Sequence, residues 1–284
     1  PEPKGARAMV DYQILLTCGL TGAASAIAGV FLLLFRMSMA ADSISHTILP
    51  GIVLGYLMAG DLSSPLLYAG AAFSGVVSVW LIELLYRTGL VREDSAAGLI
   101  APFLFAAALI LIARCSDSVH LDTDSVLLGE PAYAPFDRLI VNGTDIGAKG
   151  VWRSIFLLAM NLLLILLFYK ELTLAAFDPV LAALTGFLPG LFRYVLITAA
   201  SITAVGVFET CGSVLTVALL TGPAGSAFLL TRRLSRLLPL AALFGITAGL
   251  AGYLCAVCLS VSIAGSMAVM TGILFLGAYL ISRT

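Results

Sequence analysis

Two ionisable residues interrupt an apolar stretch near the start of the chain. In MAADSISHTILPG, Asp42 precedes His46 by four positions. On a helix this spacing stacks both side chains on one face, one turn apart. A carboxylate oxygen and an imidazole nitrogen are good direct ligands for borderline divalent ions such as Mn²⁺, Fe²⁺ and Zn²⁺. Two donors make half of a metal site, and a symmetric partner can supply the other half across a central axis. The same pair also fits a plain Asp–His hydrogen bond, or an N-cap at the mouth of a helix. Ionisable residues inside apolar segments take a functional role as the default reading.

Two further places carry donor groups. The stretch CSDSVHLDTD places Asp117, His120, Asp122 and Asp124 close together after Cys115. Such a loop attracts cations electrostatically, and a solvated acidic loop reads the same way. Glu209 stands between two apolar runs in VGVFETCGSV. It fits the mouth of a pore as well as a plain loop carboxylate. Other chemistries fail on inventory: the chain has no HExxH, no GxxxxGK[ST] and no GxSxG. Five scattered cysteines include a CxxC at Cys255 and Cys258, which reads as small apolar packing residues.

The elements that hold these residues are read from composition. The 284 residues are 61% hydrophobic and 11% charged. Soluble domains carry about 25% charged residues, so this chain has too little polar surface to cover a globule. A formal net charge of −1 gives no nucleic-acid footprint. Membrane helices need roughly 20 apolar residues. The apolar runs divide into nine candidate spans, at 12–35, 46–60, 62–86, 95–113, 152–169, 193–208, 210–230, 238–259 and 262–282. Eight spans is the competing count. The expected class is an all-α polytopic membrane protein, a single transmembrane domain over residues 1–284. The first run is long enough to remain as a span and is not read as a cleaved signal.

An odd count places the termini on opposite sides. Basic residues favour the N-terminus outside and the C-terminus in the cytoplasm. The long outer loop then covers about 114–153, and the cytoplasmic loops about 170–193 and 224–237. In the first of these, Asp178 caps a short helix with Pro179 at its first position, and Gly186 ends it. The basic RRLSR run at 232–236 fits either anionic headgroups or a cytoplasmic partner.

Four stretches, in order along the chain, carry a resemblance. MAADSISHTILPGIVLGYL resembles the DAISHAVLPGIAL signature of the bacterial metal-ion ABC permeases, the family that imports manganese, zinc and iron(II). HLDTDSVLLGEPAYAPFD is similar to a segment of its manganese-type members. FYKELTLAAFDPVLAALTGF and FETCGSVLTVALLTGPAGSAFLLT resemble two later family stretches. The match is good from residue 14 to about 240 and weaker over the last two spans. PAGSA replaces the usual PAATA, and Ser125 stands where relatives often have cysteine.

The resemblance implies a fold similar to the vitamin B12 and siderophore permeases. It implies a transmembrane subunit of a dimeric, ATP-driven importer that carries no covalent chemistry of its own and holds no cofactor beyond the transported ion. Its partners would be a second permease chain, identical or paralogous, cytoplasmic ATP-binding subunits and an extracytoplasmic metal-binding protein, in the bacterial inner membrane. Asp42 and His46 would be the pore ligands. A short helix at Ala224 to Arg236, with Ala224, Gly225, Ser226, Arg232, Arg233 and Arg236, would contact the ATPase. Manganese is favoured, with zinc and iron(II) open. A proton- or cation-coupled secondary transporter would use the same Asp and His as a proton relay. A siderophore or cobalamin permease would not need the pair.

Overall fold

The apolar runs become helices whose backbone groups are satisfied within each segment, as a bilayer requires. A computed structural model of the chain describes residues 4–35, 37–60, 64–115, 129–141 and 144–283. Four helices come first: α1 (Lys4–Leu34), α2 (Ser38–Ala59), α3 (Pro65–Arg87) and α4 (Glu93–Cys115). A short antiparallel hairpin follows, β1 (Arg138–Val141) with β2 (Thr144–Ala148). Then come α5 (Lys149–Leu167), α6 (Tyr169–Phe177), α7 (Pro179–Leu184), α8 (Pro189–Leu230), α9 (Leu234–Leu259) and α10 (Ile263–Arg283).

Seven of the described helices are long and apolar enough to cross a membrane. One of them, α8, runs for 42 residues. Straight, it would reach about 63 Å, twice the roughly 30 Å hydrocarbon core. It is not straight. Gly212 has φ 74 and ψ 176, a conformation open to glycine, and the chain turns back there. The nesting of core residues shows the reversal. Leu196 shares a buried cluster with Ala224 and Ala227, Ala200 and Ala204 share another with Leu220, and Val207 a third with Cys211 and Leu215. α8 is thus two antiparallel arms and counts twice. The 22-residue α2 supplies a ninth crossing. Its Asp42 and His46 lower the very hydropathy by which spans are recognised.

α1 is the hub. Its apolar window is 83% buried, against 22% for α4 and α10. It crosses α9 where Gly22 faces Gly245, so closely that a Cβ on Gly22 would stand 2.2 Å from the Gly245 carbonyl oxygen. α2 and α3 form the other tight pair. Gly51 and Gly55 make a GxxxG face that lets the two backbones approach. A Cβ on Gly51 would lie 2.2 Å from the Gly70 carbonyl oxygen.

Several local expectations hold and others need correction. Asp178 Oδ1 accepts from the Leu181 N–H at 2.9 Å and caps α7, with Gly186 at φ 86 beyond it. The second span starts at Ser38, not 46, so Asp42 lies inside the helix and is not its N-cap. The loop between α4 and α5 holds the β-hairpin, an exception to the all-α expectation; its strands flank Asn142-Gly143, a strong hairpin dipeptide. No separate short helix spans Ala224 to Arg236. Helix continues to Leu230, breaks at 231–233 and resumes at Leu234.

Gly51→Ala is expected to cost about 1–3 kcal/mol by overpacking the α2–α3 crossing. Gly272→Ala, where a Cβ meets nothing within 4 Å, serves as the neutral comparison. Thermal unfolding of the two detergent-solubilised variants checks this, and equal midpoints would remove the crossing from the account.

Candidate functional site

One stripe of α2 faces open space. Met39, Asp42 and His46 recur at helical spacing and, with Ser43, form one wall of a cavity of about 570 Å³. α4 builds the opposite wall with Ala97, Gly98, Ala101, Pro102 and Phe105. Ser213 and Val214, just past the break in α8, close a third side. The reverse face of α2 is fixed against α3. Thr47 donates its hydroxyl to Ser78 Oγ at 2.9 Å, and Ser74 donates to the Thr47 carbonyl at 2.6 Å. Ser43 also donates to the Ala97 carbonyl at 3.4 Å, which ties α2 to α4.

Asp42 Oδ1 and His46 Nε2 stand 3.6 Å apart, and the side chains are 49% and 46% exposed. That separation is beyond a hydrogen bond, so the pair is not held by one. Adjacent ligands bonded at about 2.1 Å to a divalent ion sit roughly 3–3.5 Å apart. A small rotamer adjustment therefore lets both atoms reach one ion. The Phe105 ring stands edge-on to the imidazole, with centroids 6.1 Å apart and planes at 76°, and limits how the ring turns. Among the described residues no three of His, Cys, Asp and Glu come together as a metal set. This chain brings two donors to the cavity wall.

The other sequence candidates lie elsewhere. Asp117, His120, Asp122 and Asp124 fall outside the described residues. Glu209 does not line the Asp42–His46 cavity. It pairs with Arg153 at the start of α5 and hydrogen-bonds Tyr68 at the start of α3. The Arg153 guanidinium also lies 5.6 Å over the Tyr68 ring. These residues sit beside a small pocket of about 120 Å³. Ala224 and Ser226 are fully buried, whereas Arg232, Arg233 and Arg236 are exposed. Gly225 is partly buried beside Phe275. The thiols of Cys18, Cys211, Cys255 and Cys258 are free.

Sequence reasoning missed the α4 wall and the Ser213–Val214 contribution. A proline at 102, inside an apolar run, was the available signal. It also missed Glu130, whose carboxylate caps α10. Oε1 accepts from the Ile263 N–H at 2.8 Å and the Ala264 N–H at 3.3 Å, and Ser262 donates its hydroxyl to Oε2 at 2.5 Å.

Residues 9–282 match the ABC 3 transport family. The chain belongs to that family. The match runs through the last two spans, where the sequence resemblance was weaker. The manganese transport system membrane protein MntD of Bacillus subtilis is 41% identical over 96% of this chain and 92% of its own length. The zinc transport system membrane protein TroD of Treponema pallidum is 44% identical over 96% of this chain and 74% of its own. Among solved structures, PsaBC from Streptococcus pneumoniae in complex with Fab matches with a TM-score of 0.76 and 25% identity, over 94% of this chain and 90% of that one. The protein is a multi-pass membrane subunit of an ABC transport system, a transporter component and not an enzyme.

The Glu209–Arg153 pair is mostly buried, at 26% and 23% side-chain exposure. Removing one partner of such a pair costs more than removing both charges. Arg153→Ala is expected to lower the thermal midpoint by roughly 4–8 °C, taking about 2 kcal/mol for the loss. Adding Glu209→Gln should recover part of it. A double variant no more stable than Arg153→Ala would show that the pair does not hold α5 to α8.

Proposed function

We propose that this chain is the membrane subunit of an ATP-driven importer of divalent transition-metal ions, with residues 1–284 acting as one permease domain. Asp42 and His46 from each of two paired chains form the site through which the ion passes. The observation that carries this reading is the half-exposed Asp42–His46 pair on the wall of a large cavity, with spacing suited to one ion and no third donor side chain among the described residues. A second chain, identical or paralogous, completes the ligand set. Mn²⁺ is the favoured cargo, and Zn²⁺ and Fe²⁺ fit the same donors.

The N-terminus faces outward and the C-terminus the cytoplasm of a bacterial cell, as nine crossings and the basic residues favour. ATP-binding subunits sit against the cytoplasmic end. There the exposed Arg232, Arg233 and Arg236 accompany α7, whose Val180 and Leu184 are 69% and 80% exposed. The burial of Ala224 and Ser226 leaves the arginines and α7 as the contact. An extracytoplasmic metal-binding protein delivers the ion at the opposite end. Asp117, His120, Asp122 and Asp124 attract cations there, and Glu209 with Arg153 borders the mouth.

The test is metal uptake in cells expressing the assembled transporter. Asp42→Ala and His46→Ala are each expected to reduce uptake of radiolabelled Mn²⁺ and Zn²⁺ by at least about tenfold, with normal amounts of protein in the membrane. Uptake at the unmodified rate in both variants would reject the proposed site.

A further inference from the structure

Proline lacks the amide N–H that would bond the carbonyl four residues earlier, and its ring pushes that carbonyl aside. Four prolines lie inside described helices: Pro50, Pro102, Pro223 and Pro239. The carbonyls they release belong to His46, Gly98, Leu219 and Ser235. Leu219 is buried in the core, and Ser235 lies in the first turn of α9. His46 and Gly98 both line the cavity that holds Asp42.

Gly98 is the more telling of the two. Having no side chain, it lines the cavity with backbone alone. A Cβ built on it would meet no atom of the described residues within 4 Å, and Gly98 is exposed, so its helix face opens on the cavity. Pro102, which releases its carbonyl, is also exposed on the cavity wall. Within a bilayer an unpaired carbonyl is costly unless it lines a wet cavity or meets a cation. Interrupted membrane helices in transporters use released carbonyls as cation ligands.

We infer that the Gly98 carbonyl oxygen, released by Pro102, is a ligand of the transported ion beside Asp42 and His46, and that it weights the pathway toward Mn²⁺ over Zn²⁺. This rests on the proposed function. Each chain then offers a carboxylate oxygen, an imidazole nitrogen and a carbonyl oxygen, and two chains together offer an octahedral set. Carboxylate and carbonyl oxygens suit Mn²⁺, whereas Zn²⁺ settles for four ligands and favours nitrogen and sulfur.

The experiment measures uptake of radiolabelled Mn²⁺ by the whole transporter in cells, with unlabelled Zn²⁺ as competitor. Pro102→Ala restores the N–H and draws the Gly98 carbonyl back into the helix. It is expected to shift the balance toward Zn²⁺ by roughly tenfold, read as a lower Zn²⁺ concentration for half-inhibition. Pro239→Ala should leave that concentration unchanged. An unchanged value in Pro102→Ala overturns the inference, as does an unmodified transporter that prefers Zn²⁺ to Mn²⁺. Should Pro102→Ala fail to reach the membrane, Gly98→Val decides by the same measurement, since its side chain enters open space beside the same carbonyl. His46→Ala separates the two readings. If it and Asp42→Ala both transport at the unmodified rate, the proposed site falls. If it loses uptake while Pro102→Ala keeps its selectivity, only the carbonyl role falls.

Discussion

A carboxylate and an imidazole placed within a membrane helix are tolerated only where water, an ion or a partner reaches them. That constraint organises α2. One face of the helix is built of glycine, serine and threonine and lies flush against α3, with Gly51 against Gly70 and Thr47 bonded to Ser78. The opposite face carries Met39, Asp42 and His46 into open space. Small residues on the α3 side and Ile44 and Ile48 against α8 hold the helix, so that only a narrow stripe around Asp42 and His46 opens to the cavity. A larger residue at Gly51 would push α2 off α3 and move both ligands with it.

The α2–α3–α4 group is joined to the rest of the molecule where α2 and α3 pack on the first arm of α8. α3 and that arm run antiparallel and are pinned at both ends. At one end Tyr68 and Glu209 meet Arg153. At the other, Glu83 Oε2 lies 3.2 Å from an Arg193 terminal nitrogen, and Arg87 Nε donates to Glu83 Oε1 at 3.0 Å. Between the pins the seam is lined by small residues: a Cβ on Gly75 would rest 3.6 Å from Ser201. Charged pairs at the rims fix the register of the seam. Behind it α2 packs on the same arm of α8, with Ile44 beside Ile197 and Ala200 and Ile48 beside Val205 and Phe208, while α1, α9 and α10 form the wider core around α8.

Much of this was legible in the sequence, because membrane helices are written by length and hydropathy. The apolar spans, the α7 cap at Asp178 and the division of α8 into two spans all follow from local signals, with the break at Gly212 a few residues past the expected boundary. Hydropathy misreads one helix for a physical reason: Asp42 and His46 make the first turns of α2 look polar, so the expected start at 46 lies eight residues after the observed one at Ser38. The β-hairpin carried its own signal in Asn142-Gly143 between RLIV and TDIGA, which hydropathy does not report. The walls of the cavity were the least legible. Phe105 and Ser213 reach Asp42 and His46 only through the crossing of α2 with α4 and the reversal of α8, and no local spacing encodes such contacts.

A site split between two chains also has a consequence for transport. Ligands that all belong to one rigid chain would hold an ion with nearly constant strength. When each chain contributes two side chains, the binding strength depends on how the two walls face one another. A motion that parts the chains by an ångström or two pulls half the ligands out of bonding range, and water replaces them. On the proposed reading, ATP-driven movement at the cytoplasmic end need not reshape either chain's interior to release the ion. It has only to change the relation between two surfaces that are each well packed behind. The stiffness of the α2–α3 pair then becomes part of the mechanism, since it makes a displacement of the whole group arrive undiminished at Asp42 and His46.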